Sequence, residues 1–140
     1  MVQLILGKKG KGKTKIILDM VNKEISDASG NIVYLDKSLD HMYELNNKVR
    51  LINVRDYGVL NADEFVGFIR GIISQDHDLE QIYFDSFLKI AVLEKSDRLE
   101  EIVNELDKIS DDFKFKIVAS VSLDESELPE SLKSKVIVSL

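Results

Sequence analysis

The residues of the chain that point most directly to chemistry form one short segment, Gly7-Lys8-Lys9-Gly10-Lys11-Gly12-Lys13-Thr14. It matches the pattern G-x-x-x-x-G-K-[ST] without a mismatch. Glycines let the backbone curl so that successive N–H groups meet one anion, and Lys13 adds a positive charge beside them. The hydroxyl of Thr14 is a ligand that suits Mg²⁺. The spacing therefore predicts a loop that binds the phosphates of a nucleotide together with Mg²⁺.

Each position of this segment has an expected role. Nucleotide binding is assigned to all eight residues: Gly7, Lys8, Lys9, Gly10, Lys11, Gly12, Lys13 and Thr14. Lys13 is also a candidate catalytic residue, because its ammonium would contact the β- and γ-phosphates. A second Mg²⁺ ligand is expected where a neighbouring apolar strand ends, and Asp85 ends the run Ile82-Tyr83-Phe84-Asp85. Thr14 and Asp85 are therefore the predicted metal ligands.

Apolar segments alternate with segments of helical periodicity along the chain, and these elements must position the loop. The predicted strands cover residues 2–6, 32–35, 49–54, 82–84, 115–121 and 136–140. The longer helical patterns cover residues 13–26, the segment after the capping residues 61–64 and the segment after Ser96. Such alternation predicts parallel βαβ units with helices on both faces. The expected fold class is α/β, a three-layer, doubly wound, mainly parallel sheet of five to six strands.

The composition of the chain limits its function and its location. A chain of 140 residues has the size of one domain, so residues 1–140 are expected to form a single nucleotide-binding domain. The absence of cysteine excludes disulfides and thiolate metal sites. A net charge of -6 argues against direct nucleic-acid binding by the isolated chain. Short apolar runs and a start unlike a signal peptide favour a cytoplasmic protein that does not enter a membrane.

The order of these parts resembles the ATPase core of RecA-like recombinases and DnaB-type replicative helicases, which are P-loop NTPases. In that core a strand ending in an acid follows the P-loop helix, as Ile32-Val33-Tyr34-Leu35-Asp36 does here, and a helix follows it, as residues 38–45 would. The Walker B Asp comes after a further helix, where this chain has Tyr83-Phe84-Asp85-Ser86. The resemblance implies ATP and Mg²⁺ as ligands. It also implies a central P-loop strand, with the strand at 115–121 between it and the Walker B strand.

The chain departs from this family at the residue that activates the attacking water. The position of the family's catalytic Glu is occupied by Ser38, which follows Lys37. Asp36 is the nearest acid and is the candidate general base. Ser120 and Ser122 are the nearest candidates for the polar side chain that senses the γ-phosphate. Because loss of a positioned base lowers rates by about 10²–10⁴, we expect slow or absent ATP hydrolysis.

The activity that accompanies nucleotide binding is open to several interpretations. GTPases read guanine with Asn-Lys-x-Asp, and Asn22-Lys23-Glu24-Ile25 and Asn47-Lys48-Val49-Arg50 both lack the final Asp, so adenine is expected. The main hypothesis is a nucleotide-dependent switch or a slow ATPase. One alternative is a small-molecule or nucleotide kinase, which four arginines and no lid insertion disfavour. The other is a non-enzymatic interaction module that retains the nucleotide site. A protein partner or self-association is compatible with each hypothesis.

The two histidines of the chain, His41 and His77, have no metal-ligand partner at helical or hairpin spacing. Without such a partner, neither residue indicates a metal site. Both are expected at surface or rim positions rather than in catalysis.

Overall fold

The computed structural model describes residues 1–140 and contains one six-stranded sheet. The strands are β1 (Val2–Leu6), β2 (Asn31–Asp36), β3 (Arg50–Asn53), β4 (Leu79–Phe84), β5 (Lys116–Val121) and β6 (Val136–Ser139). Their order across the sheet is β3-β2-β4-β5-β1-β6, and every neighbouring pair is parallel. The predicted α/β class with a doubly wound sheet is confirmed, and the sheet is parallel throughout.

The position of β5 agrees with the resemblance to RecA-like cores. β5 lies between β1 and β4, with Ala119 opposite Leu4 and Ile117 opposite Ile82. β1 pairs with β5 on one side and β6 on the other, so it is an interior strand one position from the edge rather than a central one. Because all strands are parallel, their carboxyl ends meet at one edge of the sheet, where ligands of such folds bind.

Helices cover both faces of the sheet. Helix α1 (Lys13–Glu24) packs on one face, and α2 (Ala62–Gln75), α3 (Phe87–Ile90) and α4 (Leu99–Phe113) contribute to the larger core on the other. Along β2, Val33 and Leu35 belong to the larger core, whereas Tyr34 between them belongs to the smaller one. Burial on both faces explains why the strands are apolar runs. None of the helices has the length and apolar character that crossing a membrane requires.

Two predicted helical features differ in the structure. Residues 38–45 contain only a short 3₁₀ turn, Met42–Glu44. Apart from Leu45, the apolar side chains of this segment are exposed, so a longer helix would have no apolar face to bury against the sheet. Helix α4 begins at Leu99 rather than directly after Ser96. The hydroxyl of Ser96 accepts the backbone N–H of Arg98 at 3.1 Å.

Candidate functional site

The glycine- and lysine-rich loop connects the carboxyl end of β1 to the first turn of α1. Gly10 and Gly12 have φ angles of 87° and 95°, values that cost other L residues about 1–2 kcal/mol. Gly12 directly precedes Lys13, the first residue of α1, so the two glycines allow the sharp turn from strand to helix. Gly7 has a different role. A Cβ there would lie 3.1 Å from the Cβ of Leu140, so this glycine permits close packing.

The loop and the first turn of α1 leave a group of backbone N–H donors free. The N–H groups of Gly10, Gly12, Lys13 and Thr14 donate to no acceptor in the protein, whereas that of Lys11 bonds the carbonyl oxygen of Lys8 at 3.2 Å. The first N–H groups of a helix have no intrahelical partner, and the helix dipole places positive potential at the same point. Free donors at the start of a 12-residue helix form a natural site for an anion.

The side chain of Lys13 is folded back into the loop. Its Nζ donates to the carbonyl oxygen of Gly7 at 2.6 Å and to that of Lys8 at 3.2 Å. Burial lowers the pKa of Lys13, and the negative charge of Asp85 opposes this shift. The two hydrogen bonds hold the ammonium group within the loop. The other lysines of the segment have exposed side chains, and that of Lys8 forms an ion pair with Glu127.

Asp85 directly follows β4 and is buried. Its carboxylate accepts hydrogen bonds from three hydroxyl groups. Tyr34 Oη donates to Oδ2 at 2.8 Å, and Ser120 Oγ and Thr14 Oγ1 donate to Oδ1 at 2.9 and 3.3 Å. Ser120 Oγ also accepts the backbone N–H of Ser86 at 2.9 Å. Burial and the Asp85 charge raise the pKa of Tyr34, so its hydroxyl stays protonated and donates. These bonds fix the carboxylate beside Thr14.

Asp36 ends β2 and is 2% exposed. Its Oδ1 accepts the backbone N–H of Lys37 at 2.7 Å, and its Oδ2 has no hydrogen-bond partner. Burial, together with the negative charge of Asp85, raises the pKa of Asp36 to about 6. The hydroxyl of Ser38, two residues after Asp36, accepts the backbone N–H of Asp40 at 3.3 Å.

His41 lies beside these two acids, a position that the residue pattern did not predict. Ligand atoms of Asp36, His41 and Asp85 all lie within 4.8 Å of one another. An irregular turn separates Asp36 from His41, so no periodic spacing could have indicated that the two side chains meet. His77, by contrast, is exposed just before β4, in agreement with the expected surface position.

A cavity of about 760 Å³ opens beside the loop and collects most of the predicted residues. Its lining includes Lys13, Thr14 and Asp85, and it also includes both serines considered as phosphate sensors. The cavity is also lined by three further residues of the predicted segment, Lys9, Gly10 and Gly12. The predicted residues outside this lining are Gly7, Lys8, Lys11 and Asp36. The cavity therefore joins the free amides to the end of β4.

Two solved structures resemble the fold of the chain. Flagellar accessory protein FlaH from Methanocaldococcus jannaschii matches with a TM-score of 0.59 and 15% identity, over 95% of this chain and 65% of its own. KaiC-like protein PH0186 from Pyrococcus horikoshii OT3 matches with a TM-score of 0.60 and 17% identity, over 86% of this chain and 62% of its own. The chain spans less than two thirds of the length of either protein.

Sequence comparison adds no closer relationship, since no protein-family model and no curated protein sequence matches the chain. At identities of 15% and 17% the structural likeness concerns the fold alone. Taken with the parallel strand order β3-β2-β4-β5-β1-β6 and the helices on both faces, it shows that the chain has a RecA-like fold.

Proposed function

We propose that the chain binds ATP with Mg²⁺ at residues 7–14 and acts as a nucleotide-dependent switch or a slow ATPase. The observation that carries this proposal is the group of free amides at Gly10, Gly12, Lys13 and Thr14. They lie at the start of α1, where the helix dipole favours an anion, and the ammonium of Lys13 adds a full positive charge. A polyphosphate supplies acceptor oxygens for donors of this kind.

The surroundings of Asp85 fit a magnesium ion. Mg²⁺ prefers oxygen ligands and keeps several of its waters. Thr14 Oγ1 and Asp85 Oδ1 lie 3.3 Å apart, and the remaining partners of Asp85 are hydroxyl groups rather than cations that would compete with the ion. In this proposal Thr14 and Asp85 hold the ion, and Tyr34 and Ser120 keep the carboxylate in place. Once bound, Mg²⁺ neutralises negative charge on the phosphates.

The residues around the site support slow rather than fast hydrolysis. Asp36, the candidate base, does not line the cavity, and one of its oxygens is already bonded to a backbone N–H. None of the four arginines lines the cavity, and Arg50, Arg70 and Arg98 form ion pairs with other acids. The site therefore lacks an arginine that would stabilise a transferring phosphoryl group. The same lack disfavours the kinase alternative.

Nucleotide titration of the intact chain tests this proposal. Mg·ATP at about 100 times its Kd is expected to stabilise the fold by about 2.7 kcal/mol, which raises the melting temperature by roughly 5–10 °C for a domain of this size. Omitting Mg²⁺ is expected to weaken binding. A parallel titration with GTP tests the assignment of adenine, with weaker binding expected.

Two lysine variants distinguish binding at the loop from a general effect of charge. Lys13→Ala is expected to abolish most of the thermal shift. Lys23→Ala removes the same charge from an exposed position in the last turn of α1 and is expected to keep the shift. The proposal is wrong if no nucleotide stabilises the chain, or if Lys13→Ala is stabilised as much as the unmodified protein.

A further inference from the structure

Asp36, His41 and Asp85 form a compact group of metal-binding side chains at the carboxyl ends of β2 and β4. Their ligand atoms lie within 4.8 Å of one another, and the two acids are 2% and 3% exposed. Ions such as Zn²⁺ bind nitrogen and oxygen ligands at about 2.0–2.2 Å, which places three ligand atoms of one ion about 3.3–3.8 Å from one another. Side-chain shifts of up to about 1 Å therefore bring all three residues to one ion.

Neither acid of this group forms a direct ion pair, although Lys13 interacts electrostatically with Asp85 and Lys37 with Asp36. None of the ion pairs of the chain involves Asp36 or Asp85. The hydrogen bonds that Asp85 accepts come from uncharged hydroxyls, and Asp36 Oδ2 has no partner. Two buried carboxylates without a directly paired counter-charge are unfavourable unless a proton or a cation joins them. An unpartnered oxygen on a side chain this deeply buried is the strongest sign that a cation belongs here.

The histidine determines which cation fits. Magnesium takes oxygen ligands, whereas imidazole together with carboxylates suits first-row transition ions such as Mn²⁺, Co²⁺ and Zn²⁺. His41 Nδ1 has no hydrogen-bond partner, and Glu44 Oε2 lies 3.4 Å from it. A second cavity of about 340 Å³ beside α1 is lined by His41 and Glu44, so the histidine side of the group borders open space.

We infer that Asp36, His41 and Asp85 bind a divalent transition-metal ion. This site goes beyond the proposed nucleotide function because it uses His41 and Asp36, neither of which lines the cavity beside the loop. It shares Asp85 with the proposed magnesium site. Its occupation can nevertheless be measured with the metal alone, so the failure of one proposal is distinguishable from the failure of the other.

Titration of the metal-free, tag-free full chain with Co²⁺ in the absence of nucleotide tests the inference. Visible d–d absorption and calorimetry are expected to report one bound ion. His41→Ala is expected to weaken Co²⁺ binding at least about tenfold, since even loss of a residue behind a ligand costs 10–100-fold. Asp36→Asn is a second variant with the same expected direction. His77→Ala removes the other, exposed histidine and is expected to bind Co²⁺ like the unmodified chain.

Weaker Co²⁺ binding by His41→Ala is attributable to the missing ligand, because His41 is only half-buried and its replacement leaves the apolar core intact. Circular dichroism and thermal melting of the metal-free variants check that each is folded. The inference is overturned if the unmodified chain does not bind Co²⁺, if His41→Ala and Asp36→Asn bind it as tightly as the unmodified chain, or if His77→Ala weakens binding as much as His41→Ala does.

Discussion

Asp36 and Asp85 are neighbouring buried acids with very different surroundings. Asp85 accepts hydrogen bonds from three hydroxyls, whereas Asp36 accepts one backbone N–H and leaves Oδ2 unpaired. Burial without hydrogen bonds disfavours the charged form of an acid, and a nearby negative charge adds to this effect. The pKa of Asp36 is therefore raised to about 6, so its carboxyl group holds a proton in weakly acidic solution.

This difference predicts how stability depends on pH in metal-free buffer. Because the folded-state pKa of Asp36 lies above its ordinary value of 3.8, the native state keeps a proton that the unfolded chain loses. The contribution of Asp36 to the free energy of unfolding is thus lost as the pH rises through about 6. Asp36→Asn is expected to be more stable than the unmodified chain at pH 7–8, by about 1–3 kcal/mol.

Urea unfolding between pH 4 and pH 8, with a chelator present, checks this prediction. Asp40→Asn removes the same charge from an exposed position on the following turn and is expected to leave the pH profile unchanged. Equal pH profiles for the unmodified chain and Asp36→Asn would show that Asp36 ionises normally in the native state.

At the scale of elements, the loop between β1 and α1 depends on backbone conformation. Gly12 has a φ of 95°, and a Cβ added there meets nothing within 4 Å. A substitution at this position is therefore costly for conformational reasons and not because of a clash. Gly67, in the middle of α2, also has open space around its Cα, but its φ lies outside the left-handed region. The two glycines thus allow a matched comparison.

Alanine at these two positions is expected to change stability in opposite directions. Gly12→Ala forces a left-handed conformation on alanine and is expected to destabilise the fold by about 1–2 kcal/mol. Gly67→Ala is expected to stabilise it by about 0.5–1 kcal/mol, because alanine is a better helix former. Denaturant unfolding measures both effects. A loss of stability that is the same for both variants would contradict the role assigned to the loop conformation.

The elements that position the site were predictable for physical reasons that are local in the chain. Strands buried on both faces need apolar side chains at successive positions, so β1, β2 and β4 are visible as apolar runs. The glycine pattern indicated the turn into α1 because so few residues accept its backbone angles. Asp36 and Asp85 were found because both end such runs, and a parallel sheet brings strand ends to one edge.

Features that depend on tertiary neighbours were not predictable in the same way. His41 reaches the two acids through an irregular turn that has no periodic signal. At Gly30, a Cβ would lie 2.1 Å from the carbonyl oxygen of Asp78, so close packing against that distant backbone explains the glycine. In both cases the partner is distant in sequence or reached by irregular backbone.

At the scale of the molecule, the proposed site has groups suited to binding phosphate and lacks two groups that speed phosphoryl transfer in other enzymes. Free amides, Lys13 and Thr14 stand at one edge of the sheet, whereas no arginine lines the cavity and Ser38 replaces the expected acid. Typical enzymes turn over about 10 times per second, and the absence of a positioned base lowers this by about 10²–10⁴. We therefore expect turnover of about 0.001–0.1 s⁻¹ for the chain alone.

Phosphate release at several chain concentrations checks this prediction. The rate is expected to rise in proportion to the amount of chain. Fast turnover, or a rate that rises with the square of the chain concentration, would show that a catalytic group has been overlooked or is supplied by a second copy.

Backbone amide resonances give the most direct view of phosphate binding. In nitrogen–proton correlation spectra, a non-hydrolysable ATP analogue with Mg²⁺ is expected to cause its largest shifts at the amides of Gly10, Gly12, Lys13 and Thr14, which have no acceptor in the protein. Adenosine, which has no phosphates, is expected to leave those amides unchanged. If the loop amides do not move with the analogue, or move equally with adenosine, they do not bind phosphate, and the proposed nucleotide function is wrong.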